Sequence, residues 1–154
     1  MINVLFVCWG NICRSPMAEF VFKDMIKKRG VEDMFHVESR ATHTDEIWNG
    51  QGNPVYPPAK EKLAEHGISC AGKRAQLLAK SDYKNYDYII GMDDLNWRWM
   101  PKILGGDPEG KLHLLMDFTD NPRNVADPWY TRDFEVTYRD VVEGCEALLE
   151  YLLK

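Results

Sequence analysis

The sequence lacks any long apolar run: its longest is Val4 to Trp9, far short of the ~18 residues a membrane-spanning helix needs. It also lacks an excess of positive charge. Its 19 Lys and Arg stand against 24 Asp and Glu, a net charge of −5. There is thus no basic face to neutralise nucleic-acid phosphates and no Lys/Arg run to dock on anionic lipid. Neither nucleic acid nor membrane is expected as a partner. The four cysteines, Cys8, Cys13, Cys70 and Cys145, show no paired C-x-x-C spacing, which argues against a structural zinc site. In a reducing compartment they are expected to be free thiols. The chain opens on the strand-like Ile2-Asn3-Val4-Leu5-Phe6-Val7 without the basic region or cleavage site of a signal peptide, so a cytoplasmic location is expected. Low-complexity linkers and repeats are missing too, and 154 residues with 45% hydrophobic and 28% charged side chains are expected to make one globular domain, residues 1–154, around one core.

What is present alternates between strand and helix signals. Ile2–Cys8 is apolar and β-branched, as in a buried parallel strand. Ser15-Pro16 predicts a helix start, with Ser at the N-cap and Pro at the first helical position. Ala18, Val21, Phe22, Met25 and Ile26 then recur at helical spacing until Gly30. Phe35–Arg40 is a second strand, followed by a loop from Ala41 to Pro57. Pro58–His66 reads as a helix closed by Gly67, Tyr86–Met92 as a third strand, and Asp93–Met100 as a helix that Pro101 interrupts. Lys111–Met116 is a fourth strand, Asp117–Arg132 a long polar loop, and Phe134–Leu153 a last helix with Tyr138, Val141, Val142, Cys145, Leu149 and Leu152 on one face. Strands separated by helices imply an α/β fold: a doubly wound parallel sheet with helices on both faces, binding ligands at the carboxyl ends of its strands.

The segment Cys8-Trp9-Gly10-Asn11-Ile12-Cys13-Arg14-Ser15-Pro16 occupies such a position. Gly10 and Asn11 tolerate positive φ, so the loop can curl until successive backbone N–H groups face one centre. A nest of this kind at a helix N-terminus binds a phosphate-sized anion. Arg14 offers a planar fork for two phosphoryl oxygens. Cys8, at the bottom, is expected to be a thiolate, and Ser15 can donate its hydroxyl to that sulfur.

This segment resembles the signature of the low-molecular-weight protein tyrosine phosphatases. His66-Gly67-Ile68, Tyr88-Ile89-Ile90-Gly91-Met92-Asp93 and Ala126-Asp127-Pro128-Trp129-Tyr130 also fall where that family has similar segments, so the resemblance covers the whole chain. It implies a four-stranded parallel sheet and a phosphocysteine mechanism without metal or other cofactor. The implied substrate is a phosphotyrosine-bearing protein, and inorganic phosphate occupies the cradle. Cys8, Arg14 and Asp127 are the implied catalytic residues, and Trp9, Gly10, Asn11, Ile12, Cys13 and Ser15 the implied binding loop. Asp127 is the implied general acid and base. Expelling a phenolate of pKa ~10 makes protonation of the leaving oxygen worth ~10²–10⁴ in rate. Trp48, Trp129 and Tyr130 are the implied walls of a slot that suits a flat phenyl ring. A monomer is expected. Cys13 either lends only its backbone N–H to the nest or, as the family favours, pairs with Cys8 in a reversible disulfide under oxidation.

His66 is expected to steady the cradle, Cys145 to pack as a small hydrophobe, and Asp107-Pro108 to be an ordinary turn. Two departures stand out. Ser39-Arg40-Ala41-Thr42 lacks a glycine that relatives often carry, and no histidine lies near Gly72, where some relatives brace the phosphate loop. Two rival activities share the loop. Protein arginine phosphatases of the family carry threonine where this chain has Ile12. Thioredoxin-coupled arsenate reductases relay a disulfide through further cysteines, and Ser81–Met92 has none.

Overall fold

The computed structural model describes residues 1–154. Its main sheet has four parallel strands, β1 (Ile2–Cys8), β2 (Phe35–Ala41), β5 (Tyr88–Gly91) and β6 (Leu112–Leu114), in the order β2-β1-β5-β6. β1 pairs with β2 from Ile2↔Phe35 to Cys8↔Ala41 and with β5 from Val4↔Tyr88 to Val7↔Gly91. Side chains alternate across a strand, and β1 feeds two cores accordingly. Val4, Phe6 and Cys8 join the larger one, where they meet Met17, Val21 and Phe22 of α1 (Arg14–Lys28), Leu63 of α2 (Pro57–Glu65) and Val141, Cys145 and Leu148 of α6 (Phe134–Leu152). Leu5 and Val7 join the smaller one with Ile89, Leu112, and Met100 and Leu104 of α4 (Asp94–Leu104). Helices therefore cover both faces, and the fold class read from the periodicity holds.

From β1 the chain runs outward through α1 to β2, then returns across the sheet to β5 and runs outward the other way through α4 to β6. The strand order reverses between β1 and β5. A crevice opens at the carboxyl ends of the strands at such a reversal, and Cys8 ends β1 there while Asp93 follows β5.

Several local expectations change. α1 starts at Arg14 with Cys13 as N-cap and no side-chain cap, so Pro16 is the third helical residue. It is still within the first turn, where a missing N–H costs nothing. The hydroxyl of Ser15 is engaged by the loop instead, as described below. α4 continues through Pro101 to Leu104; the proline removes only the bond to the carbonyl of Trp97, an exposed residue that water can solvate. The fourth strand is three residues long, because Leu115–Phe118 coil into a 3-10 turn that buries Leu115 and Met116 completely. Inside the loop after β2, β3 (Ile47–Trp48) and β4 (Gln51–Gly52) form a small antiparallel hairpin. The short helix α5 (Pro128–Thr131) lies within the stretch read as a polar loop, and α3 (Asp82–Asn85) in a stretch to which no element was assigned. Gly30 and Gly67 do end their helices, at φ of 70° and 74°, backbone that glycine adopts without strain.

Candidate active site

At the reversal point lies a cleft of about 690 Å³. The loop from Cys8 to Arg14 forms its floor, and Asp93 to Leu95 and Asn124 to Thr131 form its sides. Cys8 is buried, and its Sγ lies 3.0 Å from Ser15 Oγ and 3.3 Å from the backbone N–H of Asn11. Asn11 is the keystone of the loop. It takes the left-handed backbone at φ 59°, which Asn tolerates better than most residues. Its amide donates to Ser15 Oγ at 2.8 Å and to Ser39 Oγ at 2.9 Å, while its Oδ1 accepts from Gln76 N at 3.0 Å. Ser39 in turn donates to Glu19 at 2.6 Å, and Glu19 lies 3.5 Å from Lys73 Nζ. A buried network with every member paired is rigid. Gly10 does not use positive φ as expected; a Cβ there would stand 3.1 Å from Glu46 Cγ.

Arg14 is buried between two carboxylates. Its Nη2 lies 2.7 Å from Asp93 Oδ2 and 3.6 Å from Asp127 Oδ2, and its Nη1 donates to the Val125 carbonyl at 3.1 Å. Burial acts to lower its pKa, but Cys8, Asp93 and Asp127 outweigh that and raise it, so the guanidinium is a permanent cation. Asp127 sits one residue before Pro128 as the N-cap of α5, accepting from Trp129 N at 3.0 Å. Burial, then the proximity of Cys8, pushes the Cys13 thiol far up, against the opposing pull of Arg14. Cys13 therefore stays a neutral thiol. All four cysteines are free.

The walls are partly as expected. Trp9, Ile12, Trp129 and Tyr130 line the cleft. Trp9 stacks face to face on His43 at 3.4 Å with its Nε1 bound to Asp45 at 2.9 Å, and Trp129 leans on Tyr56 at 4.9 Å. Trp48 is not brought to the cleft: it is 80% exposed in the β3–β4 hairpin, next to a turn at Asn49-Gly50, both with positive φ. Ser15 lies beneath the floor rather than on it, fully buried against the sulfur. His66 stacks on Tyr138 at 4.2 Å, and its ring makes no hydrogen bond to the loop it was expected to steady. Asp107 is indeed a turn former, accepting from Tyr83 Oη, Lys111 N and Leu112 N. Sequence reasoning did not find Asp93, Ser39, Glu19 or Gln76. Asp93 alone had a visible signal, a carboxylate at the end of a strand on the ligand-binding edge. No group of three or more His, Cys, Asp or Glu side chains is placed to hold a metal ion.

A Cys-x5-Arg loop between the first strand and first helix of a parallel sheet, faced across a cleft by an Asp-Pro pair, is the architecture of a cysteine-dependent phosphatase. Residues 3–154 match the family model of the low molecular weight phosphotyrosine protein phosphatases, and the chain belongs to that family. It is 37% identical to the low molecular weight protein-tyrosine-phosphatase YfkJ of Bacillus subtilis, across 100% of this chain and 97% of that protein. The crystal structure of YfkJ superposes with a TM-score of 0.92, covering 99% of this chain and 95% of the other. The Drosophila arginine phosphatase DARP is a more distant likeness, with 28% identity, a TM-score of 0.84 and 98% of each chain covered.

Proposed function

We propose that this protein hydrolyses phosphotyrosine in proteins, with Cys8 as nucleophile, Arg14 as phosphate clamp and Asp127 as general acid and base. In the first step the Cys8 thiolate attacks phosphorus, the P–O(aryl) bond breaks, and Asp127 gives its proton to the departing tyrosine oxygen. In the second, Asp127 takes a proton from water. That oxygen attacks phosphorus, the S–P bond breaks, and inorganic phosphate and the thiolate are released. Trp9, Gly10, Asn11, Ile12 and Cys13 line the phosphate and ring site, Ser15 steadies the sulfur, and Trp129 and Tyr130 flank the aryl group.

One observation carries this reading: Cys8, Arg14 and Asp127 line one cleft, with the Arg14 guanidinium 3.6 Å from the Asp127 carboxyl. That spacing suits an anion bound at the floor with its leaving group facing the carboxyl. Ile12, 93% buried, offers the ring site apolar surface and no hydrogen-bond partner for a guanidinium. A cytoplasmic location fits four cysteines kept as free thiols. The test is turnover of matched phosphotyrosine, phosphoserine and phosphoarginine peptides without added metal. Phosphotyrosine is expected to lead the other two. A higher kcat/KM for phosphoarginine would replace the tyrosine reading with the arginine one.

A further inference from the structure

The residue before the Asp127 acid is gripped from both sides by the last helix. Ala126 donates its backbone N–H to Asp140 Oδ2 at 2.9 Å, and its carbonyl accepts from Thr137 Oγ1 at 2.8 Å. Thr137 is fully buried and Asp140 nearly so. The second oxygen of Asp140 is not free to compete: Oδ1 accepts from Arg123 at 2.7 Å, and Arg123 is held in turn by Glu143 at 3.0 Å and by the Asn121 carbonyl at 2.8 Å. The neighbouring residue is equally committed. Val125 N donates to the Met92 carbonyl at 2.9 Å, and its carbonyl receives Arg14 Nη1. All four backbone polar groups of Val125 and Ala126 are thus fixed, two by α6, one by Met92 just after β5 and one by Arg14.

We propose that Thr137 and Asp140 are positioning residues for proton transfer: α6 sets where the Asp127 carboxyl stands relative to Arg14 and the bound phosphate. This rests on Asp127 being the acid. The physical need is strict. A proton donor must come within about 2.6–3.2 Å of the leaving oxygen, and a misplacement of about 1 Å can cost on the order of 10²-fold in rate. A loop of this polarity holds such a position only if its backbone groups have fixed partners. Neither Thr137 nor Asp140 is among the residues that line the cleft, so their effect reaches the chemistry through the backbone of the acid's loop, most directly at the Ala126 peptide.

The experiment compares phenyl phosphate with p-nitrophenyl phosphate, whose more acidic phenol needs little proton donation. Thr137→Val keeps the shape and removes the donor. It is expected to lower kcat about tenfold on phenyl phosphate and no more than about twofold on p-nitrophenyl phosphate, leaving inhibition by inorganic phosphate unchanged. Thr137→Ser is expected to restore the wild-type ratio. In an Asp127→Asn background, adding Thr137→Val is expected to cost nothing further, because the group it positions is gone. Asp140→Asn, which turns one acceptor oxygen into a donor, is expected to give the same pattern and carries the test if Thr137→Val does not fold. An equal loss on both substrates, or a loss that persists without Asp127, would overturn the proposal. A uniform loss in Asp127→Asn itself would instead overturn the acid assignment on which it rests.

Discussion

The loop that follows β1 and the loop that ends at Asp127 meet over Cys8, yet they are held in different ways. The first is braced through one of its own side chains: Asn11 reaches from the loop to Ser15 at the start of α1, to Ser39 and to Gln76. The second is held from outside, by Met92, Arg14, Thr137 and Asp140. A loop braced by its own side chains announces itself in a short motif. One braced by residues on a helix further along the chain does not. The division also matches the roles proposed for them. A phosphate cradle needs many fixed N–H groups around one point, whereas an acid needs one carboxyl at the right distance.

The first way to break this comparison is to remove the acid. Asp127→Asn should lower kcat on phenyl phosphate by about 10²–10³-fold and far less on p-nitrophenyl phosphate. A steady-state leaving-group series measures it, and a flat series would mean that Asp127 only shapes its loop.

Disturbing the cradle should leave a different signature. Asn11→Ala takes away three hydrogen bonds and a residue suited to φ 59°. It is expected to cost about 10–100-fold in kcat/KM on every substrate alike, since the misplaced groups serve the phosphate and not the leaving group. If its loss followed leaving-group acidity as in Asp127→Asn, the two loops would not be separable.

A smaller change should sharpen the substrate boundary. Ile12→Thr exchanges apolar cleft surface for a hydroxyl, which is expected to raise phosphoarginine turnover and lower phosphotyrosine turnover, shifting their kcat/KM ratio by about tenfold or more. An unchanged ratio would show that Ile12 does not set the preference.

The smallest effect concerns stability. Burial pushes the thiols of Cys13 and Cys145 far above the ordinary 9.0. The folded protein keeps protons there that the unfolded chain releases above about pH 9, so the contribution is intact below that pH and is lost as pH rises past it. Cys145→Ala is expected to flatten the alkaline fall in unfolding free energy by up to about 1.4 kcal/mol per pH unit. Parallel curves for mutant and wild type, from denaturant melts across pH 8–11, would exclude this.

The legible parts of the molecule were those written in local pattern. The apolar, β-branched run of β1 and the residues spaced by three and four along α1 and α6 announced the layers, and Cys8 to Arg14 announced the cradle. What stayed hidden was set by tertiary contact. Ser15 carried two readings, a helix cap and a donor to the Cys8 sulfur; the loop takes its hydroxyl, through that sulfur and the amide of Asn11, and α1 goes without a side-chain cap. Trp48 was a wall only by family resemblance, and here it stands exposed in the β3–β4 hairpin, away from the residues that line the cleft. Pro101 looked like a stop, although an exposed Trp97 carbonyl makes its missing bond cheap. Thr137 and Asp140 became meaningful only when their partners were known.

The most direct test of the account is to find the phosphate on the enzyme. During turnover of a phosphotyrosine substrate labelled in its phosphate, rapid quenching should trap the label on Cys8 as an S-phosphate, and Cys8→Ser protein should carry none while still binding inorganic phosphate. Label on another residue, or substantial turnover by Cys8→Ser, would contradict it.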